Sequence, residues 1–236
     1  MMCEIFFVIL QHITQLKQTQ KRMENTCTCR LSTIATTIVV AALLWFFMFS
    51  PWTKELSNFW ITMTGAGLCL TALALILQRD SLRTIAKDFD WRQIVLGLAL
   101  AAVLWGVFWV GDKLSSMMFG FARGQVDNIY GMKVGLPSWL IAILLLLIIG
   151  PAEEIFWRGF VQRQLSERWG ANCGFIVATL IYTLIHIWSF NFMLVMAALV
   201  CGVIWGGLYR LKPNWLPALI ISHAIWDACV FVVFPI

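Results

Sequence analysis

From Trp169 to Tyr209 the chain contains no Asp, Glu, Lys or Arg. One helix crosses a bilayer with roughly 20 residues, so a charge-free run of this length must be buried in lipid and must turn back on itself. The polar triplet Ser189-Phe190-Asn191 is the natural place for that turn. Composition points the same way: 61% of the 236 residues are hydrophobic and 12% are charged, against about a quarter charged in soluble domains. A soluble enzyme, a nucleic-acid-binding domain and a disordered scaffold are excluded. The net charge of +5 reads as loop charge that orients the chain in a membrane.

Counting the other uncharged windows gives spans at Leu31 to Phe49, Phe59 to Leu77, Ile94 to Gly111 and Val134 to Ala152, and a last one from about Trp215 to Phe234. The expected fold is therefore all-α, a polytopic membrane protein of about seven transmembrane helices with its active site inside the bundle. Residues 1–30 form a polar extension, rich in Gln, Thr, Lys and Arg after a short apolar patch from Ile5 to Leu10. Residues 31–135 hold three generic spans and a flexible external loop with Gly120, Gly124, Gly131 and Gly135; residues 136–236 carry the remaining helices. The seven cysteines include one close pair, Cys27 and Cys29, which is a weak metal signal and gives no disulfide framework.

Lys and Arg are distributed unevenly. With the N-terminus inside, Lys17, Lys21, Arg22, Arg30, Arg79, Arg83, Lys87, Arg92, Arg163, Arg168, Arg210 and Lys212 fall on the cytoplasmic side, and only Lys54, Lys113, Arg123 and Lys133 fall opposite. This favours a cytoplasmic N-terminus.

Against so apolar a background, the intramembrane ionisable groups stand out, because each is expensive and calls for a partner and a function. Glu153 and Glu154 follow the apolar stretch Leu140 to Ala152, His186 interrupts the fifth span, and His223 and Asp227 interrupt the seventh. Glu154 and Arg158 are four apart with the acid first, the favourable order for an ion pair. Glu153, rotated about 100° around the helix, lacks that partner and is free for chemistry. His223 and Asp227 share a face, as do Tyr182 and His186. Pro151 is expected to kink its helix and free a carbonyl. Each feature alone has a structural explanation, such as an interfacial charge cluster or an interhelical hydrogen bond. Their convergence on three helices does not.

A carboxylate beside an imidazole can deprotonate water, and a second His with a carboxyl group can stabilise an oxyanion or bind a metal. The chain has no GxSxG, no HExxH and no Gly-rich phosphate loop, which argues against a serine hydrolase, a zincin and an ATP-driven pump. A proton-coupled transporter would use similar relay groups, but no matched halves are seen.

At these positions the chain resembles the CAAX protease and bacteriocin-processing family, also called Abi, and within it the type II CAAX prenyl endopeptidases. Glu153-Glu154 through Arg158 looks like the motif EExxxR, Tyr182 through His186 looks like FxxxH with Tyr for Phe, and His223 through Asp227 looks like HxxxN or HxxxD. The resemblance implies an intramembrane endopeptidase with Glu153 as general base, His186 binding and activating water, and His223 with Asp227 at the oxyanion. Glu154, Arg158 and Tyr182 would support them. Cofactors are none or one divalent metal, in the latter case on Glu153, His186 and His223. Asp227 can donate to an oxyanion only when protonated; ionised, it suits a metal or orients His223. The implied partners are the lipid bilayer and a membrane-associated peptide or lipidated protein substrate, with no nucleic acid. The alternative is a non-catalytic membrane scaffold on the same fold that regulates sensor kinases or cell-envelope proteins.

Depth is the last expectation. At 1.5 Å per residue, Glu153 lies about 30 Å from Lys133 and His223 about 16 Å from Lys212, in the cytoplasmic half; His186, about 27 Å from Arg168, lies too far out unless its helix starts after Gly174. A cavity facing the cytoplasmic side is expected.

Overall fold

The computed structural model describes residues 29–236. The polar extension before residue 29, with Cys27 of the close pair, lies outside the described residues. All regular structure in the described part is helical: α1 (Leu31–Phe49), α2 (Phe59–Leu77), the short α3 (Ser81–Asp88), α4 (Trp91–Met118), α5 (Ala122–Gly131), α6 (Ser138–Trp169), α7 (Ala171–Ser189), α8 (Phe192–Leu211) and α9 (Pro213–Val233). Among the described residues, all but α3 and α5 are long and apolar enough to cross a membrane, seven in total. Leu43, Ile61, Val103, Leu147 and Ile176 lie exposed on the outer faces of these helices, as lipid-facing side chains must.

Span boundaries follow hydropathy where helices end in polar caps. Asn58 opens α2 by accepting hydrogen bonds from the Trp60 and Ile61 N–H groups, and Asn191 opens α8 by accepting from Leu194 N–H. Between α7 and α8, Phe190 takes a left-handed conformation at φ 50°, so the charge-free run turns at the expected triplet. Hydropathy fails where a charge is paired inside the bundle. Helix α4 runs past Gly111 because Asp112 is met by Arg123 at 3.2 Å and Lys113 at 3.4 Å. Helix α6 runs past Ala152 through the whole Glu-Glu-x-x-x-Arg segment to Trp169.

At Pro151 the structure shows a change of helical register. Leu145–Ile149 and Ile155–Gln162 are π-helical, with Gly150 N–H donating to the Leu145 carbonyl five residues back. The wider turns accommodate a residue without an N–H while keeping the chain helical. A third π segment, Cys229–Val233, follows Asp227.

The segment expected to be a flexible Gly-rich loop contains helix α5 instead. Its glycines are overridden by an ion pair within the helix, Arg123 to Asp127, and by tertiary bonds: Arg123 also reaches Asp112 and the Ile236 carbonyl, and the Gln125 carbonyl and side chain hold Asn191 and Met193.

Helices meet through small residues, which let backbones approach in lipid. A Cβ on Gly97 of α4 would lie 2.8 Å from the Ala218 carbonyl of α9, and one on Gly150 of α6 would lie 2.6 Å from Ala224 Cα of α9. These two crossings draw α9 into the centre, where it is the most buried span.

Candidate active site

The close crossing of α6 and α9 brings two of the motif segments together. Glu154 is fully buried and its Oε1 accepts from Arg158 Nη1 at 2.7 Å; the same oxygen lies 2.8 Å from His223 Nδ1. One carboxylate therefore joins the expected ion pair to the histidine of α9. Arg158, also buried, reaches the Cys201 carbonyl of α8 at 3.3 Å, and its guanidinium lies over the rings of Tyr182 and Trp205. It ties α6, α7 and α8 together, with its charge met by carboxylate, carbonyl and aromatic faces.

Glu153 points elsewhere, as the 100° rotation requires. Its Oε2 accepts from the Tyr182 hydroxyl at 2.8 Å. The hydroxyl that distinguishes this chain from the FxxxH pattern is thus bonded directly to the expected general base. Tyr182 also supplies the carbonyl that lies 2.8 Å from His186 Nδ1.

His186 sits in a short 3-10 turn, Ile185–Ser189, at the end of α7. Its Nε2 accepts from the Trp45 indole N–H of α1 at 3.1 Å. Because Nε2 accepts, Nδ1 carries the proton and donates to the Tyr182 carbonyl, which sets the tautomer. His223 is placed differently: it stacks on Trp205 at 3.9 Å between ring centroids, with Nδ1 on Glu154 and Nε2 3.5 Å from Asp227 Oδ2. That last distance is longer than a hydrogen bond and leaves the pair loosely closed.

Glu153, Tyr182, His186, His223 and Asp227 all line one cavity of about 530 Å³. Its other walls are mostly apolar, with Phe49, Phe59, Trp60, Phe108, Met118 and Phe192 among them. An apolar chamber with a few converging polar groups is the usual form of a substrate site. Near its outer end, burial pushes the Tyr130 phenol up, and its oxygen accepts from Ile236 N–H.

The residues considered for a divalent metal, Glu153, His186 and His223, all line this cavity, each engaged by protein groups. Among the described residues no three His, Cys, Asp or Glu side chains form a group that could hold a metal ion. Of the set considered, His186 is engaged by Trp45 and the Tyr182 carbonyl, and His223 faces Glu154 and Asp227.

The depth expectation also changes. Helix α7 starts at Ala171, before Gly174, so His186 does lie far from the Arg168 end. The cavity extends from the site toward the end of the bundle formed by Phe49, Phe59, Ser115, Met118, Phe119, α5, Phe192 and Ile236, away from the loops rich in Lys and Arg. A cytoplasmic N-terminus and a cytoplasm-facing cavity cannot both hold.

Sequence spacing had no means of finding Trp45, Trp205 and Ser222. Trp45 lies 141 residues from its partner His186 in a span with no motif, and the Trp205 N–H donates to Ser222 Oγ beneath the His223 ring.

A family model described as Type II CAAX prenyl endopeptidase Rce1-like matches residues 135–229, the stretch that holds all three motifs. No curated protein and no solved structure matches the chain.

Proposed function

We propose, from the match of residues 135–229 to the Rce1-like type II CAAX prenyl endopeptidase model and from the geometry of the site, that the protein hydrolyses a peptide bond of a membrane-associated substrate with water activated by Glu153. The observation that carries this reading is the split between the adjacent carboxylates. Glu154 is consumed by Arg158 and His223, while Glu153 faces the cavity, held through one oxygen by Tyr182.

In this reading the substrate's backbone enters the apolar cavity and its scissile carbonyl lies between Glu153 and the His223/Asp227 pair. Water binds at His186 Nε2, in place of the Trp45 N–H, and at the second oxygen of Glu153. Glu153 takes a proton from the water as its oxygen attacks the carbonyl carbon. The oxyanion is met from the other side by a proton carried on His223 Nε2 or on Asp227, which the 3.5 Å gap between them leaves free to donate. Glu153 then returns its proton to the departing amine, so the carboxylate is regenerated. No step requires a metal.

The test is cleavage by purified protein in detergent, using candidate peptides identified by comparing the products of native and deletion cells. Glu153→Ala and His186→Ala each lower turnover by more than about 10²-fold, the scale of general-base loss, while thermal unfolding shows each variant still folded in detergent, and native activity survives chelator. Full activity in either variant removes the catalytic assignment, and loss with chelator removes the metal-free step.

A further inference from the structure

The two ends of the helical bundle differ in charge and in access, and the differences are opposed. Among the described residues, Arg30, Arg79, Arg83, Lys87, Arg92, Arg163, Arg168, Arg210 and Lys212 gather at one end, and Lys54, Lys113, Arg123 and Lys133 at the other. The cationic end is sealed beneath its loops by buried glutamines. Gln164 donates to Gln78 Oε1 at 2.8 Å, Gln78 donates to the Gly159 carbonyl at 3.0 Å and to Ser81, and Gln162 donates to the Gly206 carbonyl at 2.8 Å. A separate cavity of about 410 Å³ lies at that end, lined by residues such as Asp88, Arg163, Tyr209 and Asn214, but none of the five site residues faces it. The catalytic cavity instead runs to the less cationic end, where Met118 and Phe192 are exposed at its rim.

Lys and Arg are retained on the cytoplasmic side of short-looped membrane proteins. We infer that the catalytic cavity opens to the extracytoplasmic face, so that its substrate is a peptide presented at the outer membrane surface and not a lipidated tail held on the cytoplasmic leaflet. The inference rests on the proposed peptidase reading for its substrate class; the side on which the cavity opens is independent of it. The apolar lining suits a hydrophobic peptide segment lying in the outer half of the bilayer, which reaches Glu153 without its flanking residues crossing the membrane. A cytoplasmic tail would have to pass the glutamine seal and the paired charges of Glu154 and Arg158.

Single cysteines on the full chain in intact cells test the side directly, with the native chain as the labelling background. Lys54→Cys and Met118→Cys at the cavity end react with a membrane-impermeant maleimide before permeabilisation, and Arg83→Cys reacts only after it. An alkaline phosphatase fused after Ile236 is active, and a green fluorescent protein fused there is dark. The reverse pattern overturns the inference. Cleavage by the Glu153→Ala variant in detergent would overturn the peptidase reading instead, with the labelling pattern unaffected, so the two failures are distinguishable.

Discussion

Glu153 and Glu154 are chemically identical and adjacent, yet their surroundings assign them different work. Glu154 has its charge answered by Arg158 and His223, and replacing a carboxylate with two buried partners leaves both uncompensated. Glu153 has a single hydroxyl partner and an open cavity in front of it. The pair was legible because EExxxR spacing and helical rotation are local. The partner of His186 was not, because Trp45 is brought to it only by packing of α1 against the end of α7. If water replaces the Trp45 N–H on Nε2, then Trp45→Phe removes a competitor while the Tyr182 carbonyl still fixes the tautomer. The variant should lose about 1 kcal/mol of stability, the scale of one buried hydrogen bond, and keep kcat/KM at or above the native value. Turnover measured beside thermal unfolding checks this; a tenfold drop in kcat/KM would make the indole part of the machinery.

At the scale of elements, the site depends on how closely α6 and α9 cross. Gly150 permits that approach, since any Cβ would press on the Ala224 backbone, and the crossing holds Glu154 against His223. Gly150→Ala should destabilise the protein by about 1–3 kcal/mol, the usual range for overpacking, and reduce turnover by separating the two helices. Gly106→Ala, which meets nothing within 4 Å, should do neither. Thermal unfolding and cleavage assays on both variants decide. The same crossing explains why hydropathy misplaced the end of the fourth span: a window count stops at Glu153, whereas the helix continues because its charges find partners on α7, α8 and α9. The π segments on either side of the carboxylates were also hidden, since Pro151 marks a disturbance in the helix without saying how the backbone absorbs it.

On the scale of the whole molecule, the cavity at the cationic end does not reach the site residues and the one that does is hollow toward the other end, which makes the approach to the site an apolar passage. Ala197 lines that passage and is partly buried. Ala197→Trp should raise KM by about tenfold, a loss of roughly 1.4 kcal/mol of binding, with kcat little changed, because the obstruction lies on the path and away from the reacting groups. Steady-state kinetics separates the two constants. The seven-span architecture, the turn at Ser189 to Asn191 and the residues of all three motifs followed from the chain alone, because lipid penalises every unpaired charge and leaves few places for one. Local spacing then put Glu154 with Arg158. Which histidine faces Glu154, which tryptophan holds His186 and toward which end the cavity opens were decided only by tertiary structure, because they depend on helix crossings between segments far apart in sequence, and those crossings are set by small-residue contacts and buried pairings that no hydropathy pattern records.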